Sequence, residues 1–205
     1  MYRACIKKLI KWKLSANRKP LVFLGARQVG KTWLVQEFGK TQYKQMVYVN
    51  FEDKEAPRNI FQDDFNIDRI ITLLNAYSGL KIEAADSLIV FDEIQAAVGG
   101  LTALKYFHED APQYHVVAAG SLLGMNLHQN VSFPVGKVDF LYLKPLSFIE
   151  FLKAFDEEAL SDLLEKPDWK IVTVFKEKLT GYLRSYLFLG GMPEVRNFCV
   201  SPACR

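Results

Sequence analysis

The residues best able to do chemistry lie in two short stretches. The first, Gly25-Ala-Arg-Gln-Val-Gly30-Lys31-Thr32, follows the apolar run Leu21-Val-Phe-Leu24 and precedes a helical period through Leu34, Val35 and Phe38. Glycines at this spacing let backbone N–H groups curl around an anion, and the helix that follows adds its positive N-terminal end. In such a loop Lys31 reaches the β- and γ-phosphates of a nucleotide, and the Thr32 hydroxyl takes a place on Mg2+. The expected contact set is Gly25, Ala26, Arg27, Gln28, Val29, Gly30, Lys31, Thr32 and Trp33. Phosphate chemistry leaves the Arg27 side chain without an assigned task.

The second stretch, Ser87-Leu-Ile-Val-Phe91-Asp92-Glu93, is a buried-strand run ending in two adjacent carboxylates. In a parallel sheet the strand ends face the ligand crevice. Asp92 then holds the Mg2+ shell, directly or through water, and Glu93 is placed to accept a proton from a water attacking the γ-phosphate. Adjacent acids alone read equally well as a solvated turn; beside a phosphate loop they favour hydrolysis. A small-molecule kinase has little use for a water-activating glutamate and needs arginines over the phosphates, so phosphoryl transfer to an acceptor ranks last. Ser121, after the run Tyr114 to Ala119, either orients the attacking water or caps a helix. Asn50, at the end of the run 46–51, is a candidate hydrogen-bond partner that restrains Glu93.

These residues need a scaffold, and the apolar pattern predicts one. Runs at 21–24, 46–51, 87–91, 114–119 and about 138–143 read as strands, separated by helical periods. Near-continuous apolar strands alternating with helices predict an α/β, doubly wound parallel sheet covered on both faces, spanning residues 1–144 with the N-terminal helix. Beyond Pro145 the Ser147-Phe-Ile-Glu150 capping box opens a helix through Phe155. Helical stretches near 156–165 and 170–188 follow, stopped by Gly190-Gly191 and Pro193. Residues 145–205 therefore read as a small helical appendage.

Composition narrows the class. The 205 residues, 50% hydrophobic, suffice for a full core. The three cysteines and three histidines show no metal-ligand spacing, and no apolar run approaches the ~20 residues of a membrane span, so a cytoplasmic chain is expected. The first twenty residues carry Arg3, Lys7, Lys8, Lys11, Lys13, Arg18 and Lys19 and no acid. Tyr2, Cys5, Ile6, Leu9 and Ile10 recur at helical spacing, leaving Arg3, Lys7, Lys8 and Lys11 on the other side. This basic helix either packs on the body with its lysines solvated or docks on nucleic acid or an anionic membrane surface.

The segments "LVFLGARQVGKTWLV", "SLIVFDEIQ", "AAGSLLG", "LYLKPLSFIEFL" and "GGMPEV", in that order, resemble the prokaryotic predicted ATPases of the AAA+ superfamily. The first two are shared widely among P-loop proteins; the last two are more particular. The resemblance implies a P-loop NTPase sheet ordered 5-1-4-3-2, ATP with Mg2+, and roles for Lys31, Thr32, Asp92, Glu93 and Ser121 as above. In related signal-transduction ATPases a Gly-x-Pro element lies against the adenine, which implies a base-pocket place for Pro193. Where family members carry Gly-Arg, a candidate arginine finger, this chain has Gly136-Lys137, and lysine lacks the planar fork. The family's ATPase domain typically precedes a nuclease-like domain, so a chain ending at Arg205 reads as a fragment or a truncated gene.

The expected function is a slow, Mg2+-dependent ATPase whose nucleotide state repositions the helical appendage, with a second copy or another protein as partner. The alternative is a nucleotide-gated nucleic-acid-binding module that uses the basic helix.

Overall fold

The computed structural model describes residues 2–62, 64–121 and 136–193. The chain divides into two compact units: one comprises Ile6–Ala26 and Lys31–Leu143, and the other gathers the residues up to Cys5, Arg27–Gly30 and the stretch from Lys144 onward.

The larger unit is built on β1 (Leu21–Gly25), β2 (Gln45–Asn50), β3 (Ser87–Asp92), β4 (His115–Ser121) and β5 (Asp139–Leu143). All pairs are parallel and the order is β2-β3-β4-β1-β5, the expected 5-1-4-3-2 read from the other edge. β1 and β3 are buried at every residue, which is why they appear in the sequence as unbroken apolar runs.

Strand alternation sorts the core onto two faces. Val22, Leu24, Ile89, Phe91, Val116 and Ala118 pack with Ile70, Ile71 and Leu74 of α3 (Ile67–Ser78) and with Leu101, Leu104 and Phe107 of α4 (Gly100–Asp110). On the opposite face lie α1 (Cys5–Lys13) and α2 (Lys31–Gln42), where the Trp12 ring sits 6.3 Å from Phe38 and 6.2 Å from His115. Leu9 and Trp12 of α1 are buried, while Lys7, Lys8 and Lys11 are exposed. The basic helix therefore packs on the sheet with its lysines in solvent. Arg3 is a correction to the expected face: it is only 3% exposed.

The second unit is helical: α5 (Phe148–Ala154), α6 (Glu158–Glu165), α7 (Trp169–Val174) and α8 (Lys176–Leu189). Leu152, Leu160 and Leu179 form its centre. The capping box is complete: Ser147 Oγ accepts from the Glu150 N–H (3.2 Å) and Glu150 Oε2 accepts from the Ser147 N–H (2.9 Å). Two boundaries differ from expectation. Asp156 takes a left-handed φ of 59°, which delays α6 to Glu158; a short polar side chain tolerates that region. The expected helix at 170–188 is divided at Phe175, after the β-branched run Ile171-Val-Thr-Val174 whose side chains crowd the preceding turn. Gly190, at φ 74°, ends α8. Among the described residues no helix is long and apolar enough to cross a membrane.

Candidate functional site

Because every strand is parallel, the C-terminal ends of β1, β3 and β4 gather at one edge of the sheet. Gly25 is level with Ser121, and Asp92 is level with Asn50 and Ala119. The loop after Gly25 turns through two left-handed residues, Gln28 (φ 60°) and Gly30 (φ 90°), before α2 opens at Lys31. A left-handed position followed by a helix N-terminus is how a backbone makes a concave nest of N–H groups. Gly30 suits that position because its φ strains any side chain, and Pro193 Cγ would be at ordinary contact distance, 3.4 Å, from an added Cβ. Pro193 thus lies beside the loop. Val29 is fully buried, while Ala26, Arg27 and Gln28 are exposed and Trp33 is 38% exposed.

Lys31, only 8% exposed, donates from Nζ to the carbonyls of Gly25 and Ala26, each at 2.9 Å. The ammonium is thereby held at the start of the loop. Thr32 Oγ1 donates to Asp92 Oδ2 at 3.1 Å, which joins the two chemical stretches across the sheet. Asp92 is 5% exposed; its other oxygen accepts the Glu93 N–H at 3.1 Å, and Oδ2 also accepts the Tyr48 hydroxyl. Burial, then this bond to Asp92, raises the Tyr48 phenol well above its ordinary range. Tyr48 was invisible to motif reading because it is an aromatic in an ordinary strand run. Its one signal is its place, two residues before the C-terminal end of β2.

Glu93 adopts φ 49° and ψ 46°, left-handed for a residue with a Cβ. Such strain costs on the order of 1–2 kcal/mol and concentrates at functional sites. Its carboxylate accepts the amide of Gln95, a partner the sequence reading did not identify. Asn50 does not restrain Glu93. Its amide donates to Asp53 Oδ1 (3.2 Å) and its carbonyl accepts the Glu52 N–H (3.1 Å), the local turn bonding that asparagine favours at a strand end. Ser121 closes the β4 backbone opposite Gly25; its side chain lies outside the described residues. Lys137, at the finger position, pairs with Glu109 of its own chain at 2.8 Å.

Among the described residues no three His, Cys, Asp or Glu side chains cluster around a metal position. The Thr32–Asp92 pair nevertheless suits Mg2+, which keeps most of its waters and takes one hydroxyl, one or two carboxylates and phosphate oxygens. A cavity of about 750 Å3 elsewhere, lined by Lys7, Lys11, Leu14, Leu21 and Phe140, lies at the N-terminal ends of β1 and β5, away from this chemistry. Ligands of open α/β sheets bind at the opposite, carboxyl ends.

Comparison with known proteins bears on the family and the fold. An uncharacterized protein of Methanocaldococcus jannaschii is 27% identical over 192 residues, which cover 93% of this chain and 39% of that protein. This chain therefore spans well under half the length of that relative. Among solved structures, that of the Drosophila ORC bound to DNA is similar with a TM-score of 0.56 and 16% identity, covering 96% of this chain and 60% of that one. At that identity the likeness is one of fold. The model of the AAA domain matches residues 17–152, the stretch that carries the phosphate loop, the acidic strand end and the capping box, and the chain belongs to the AAA domain family.

Proposed function

We propose that this chain binds ATP with Mg2+ and hydrolyses it slowly, acting as a nucleotide-dependent switch. The observation that carries the reading is the Thr32–Asp92 hydrogen bond, with Glu93 one residue beyond. The loop N–H groups and the Lys31 ammonium hold the β- and γ-phosphates. Thr32 and Asp92 hold Mg2+, which when bound neutralises charge on the phosphate oxygens. Glu93, turned by its left-handed backbone and held by Gln95, takes the proton of the attacking water. Ser121 orients that water, and Pro193, beside Gly30, faces the base.

The way the chain divides supports the switch. Arg27–Gly30, the tip of the phosphate loop, belongs to the same compact unit as the helices from Lys144 onward, so a change at the loop is felt by those helices. A second copy or a protein partner would read that change.

Replacing Glu93 by Gln separates binding from turnover. Nucleotide uptake is retained while phosphate release is lost; release at the wild-type rate would remove Glu93 from its role.

A further inference from the structure

Arg3 sits where a surface lysine face was expected, yet it is 3% exposed. Its Nη1 donates to the Val29 carbonyl at 3.1 Å and its Nη2 to the Lys144 carbonyl at 2.5 Å. Its Nε lies 3.4 Å from Glu150 Oε1, an oxygen that also accepts the Ala4 N–H at 2.8 Å. The other Glu150 oxygen is fixed by the Ser147 N–H. One guanidinium thus ties the N-terminus, the phosphate loop and the start of α5 together, all within one compact unit. Arg3 Nε makes no hydrogen bond. A buried guanidinium with an unsatisfied donor costs stability, so a link that served folding alone would be better made by apolar side chains.

The contact on Val29 has a consequence for the next residue. Every described peptide is trans, and in a planar trans peptide the carbonyl of one residue and the N–H of the following one point in opposite directions. Anchoring the Val29 carbonyl therefore fixes the direction of the Gly30 N–H, immediately before the helix opens at Lys31. Few residues could serve. The donor must reach two carbonyls and a carboxylate at once from a buried position, which suits the planar fork of arginine and not the point charge of lysine.

We propose that Arg3 is a positioning residue of the phosphate loop, holding the Val29 carbonyl so that the Gly30 N–H faces the phosphates of the nucleotide. The proposal rests on the nucleotide reading of that loop. It predicts a defect that depends on phosphate: removing Arg3 weakens ligands that carry a β-phosphate and spares those that do not.

The test is calorimetric titration of the full chain with ATP and Mg2+, ADP and Mg2+, and adenosine. It compares wild type, Arg3→Lys, Arg3→Met, and Arg3→Met combined with Glu150→Gln, which leaves no uncompensated buried carboxylate. Thermal unfolding checks that each variant is folded, and the double variant is read where Arg3→Met is not. Losing one oriented donor to a charged phosphate weakens ATP and ADP about 10- to 100-fold, leaves adenosine within about twofold, and is partly restored in Arg3→Lys. Unchanged ADP affinity, or an equal loss for all three ligands, overturns the positioning role. A wild type that binds adenosine, ADP and ATP alike, or none of them, overturns the phosphate-loop reading itself, and the proposal with it.

Discussion

Replacing Tyr48 with Phe removes one hydroxyl and keeps the ring, so it isolates what that hydroxyl contributes. That hydroxyl donates to Asp92 Oδ2, which also accepts Thr32 Oγ1 at 3.1 Å, while Oδ1 accepts the Glu93 N–H at 3.1 Å. The variant takes away one of these three donors from a carboxylate that is 5% exposed. A hydrogen bond to a charged acceptor contributes about 1.5–3 kcal/mol. Tyr48 is only half-buried, so water recovers part of that, and a loss of about 1–2 kcal/mol is expected. For a domain of this size that corresponds to a fall in Tm of about 2–8 °C. Urea unfolding gives the free energy, and a double-mutant cycle with Asp92→Ala assigns it. In the Asp92→Ala background the same substitution should cost much less, because the charged acceptor is gone and only the contact with Thr32 remains. An equal loss in both backgrounds would refute the claim that Tyr48 acts through Asp92.

Two further outcomes follow from charged groups away from the loop. Burial, then the charges of Arg18 and Lys13, lowers His115 to about 4, against about 6.5 in an unfolded chain. Between those values the unfolded chain binds a proton that the folded chain refuses, so stability is lost as pH falls from about 6.5 to about 4, by roughly 1–3 kcal/mol; urea midpoints should show a shallower slope for His115→Asn, and an unchanged slope counts against the assignment. Lys137 is 41% exposed and pairs with Glu109, so Lys137→Ala should leave stability nearly unchanged, since solvent screens such a pair, and change ATP turnover less than twofold. A fall on the order of a thousandfold would instead identify it as a finger acting on a neighbouring nucleotide.

The centre of the sheet was legible because β1 and β3 are buried at every residue. Leu21–Gly25 and Ser87–Asp92 could be placed from apolar runs that need no partner to be recognised. The Ser147/Glu150 box was equally direct, since capping couples residues three apart. What failed shares one cause, namely that the deciding contact is distant in sequence or overridden by a local bond. The helical period put Arg3 among the lysines, yet its partners are Val29, Lys144 and Glu150, which no periodicity reveals. Asn50 stood as a candidate partner of Glu93 from its place at a strand end, whereas an asparagine there bonds its own turn. Tyr48 and Gln95 became visible only when parallel pairing set β2 beside β3 and the turn after Glu93 was formed. The division of the last helical stretch at Phe175 was written in the β-branched run before it, but helical periodicity gave it no weight.

The central claim is that Thr32, Asp92 and Glu93 form a hydrolytic site on the phosphate loop. Its most direct test is phosphate release from ATP by the full chain, wild type against Glu93→Gln, with and without Mg2+, alongside ATP binding to both proteins. Mg2+-dependent release is expected, falling about 10²- to 10⁴-fold in Glu93→Gln, with ATP affinity retained. Equal release from the two proteins, or release indifferent to Mg2+, would contradict it.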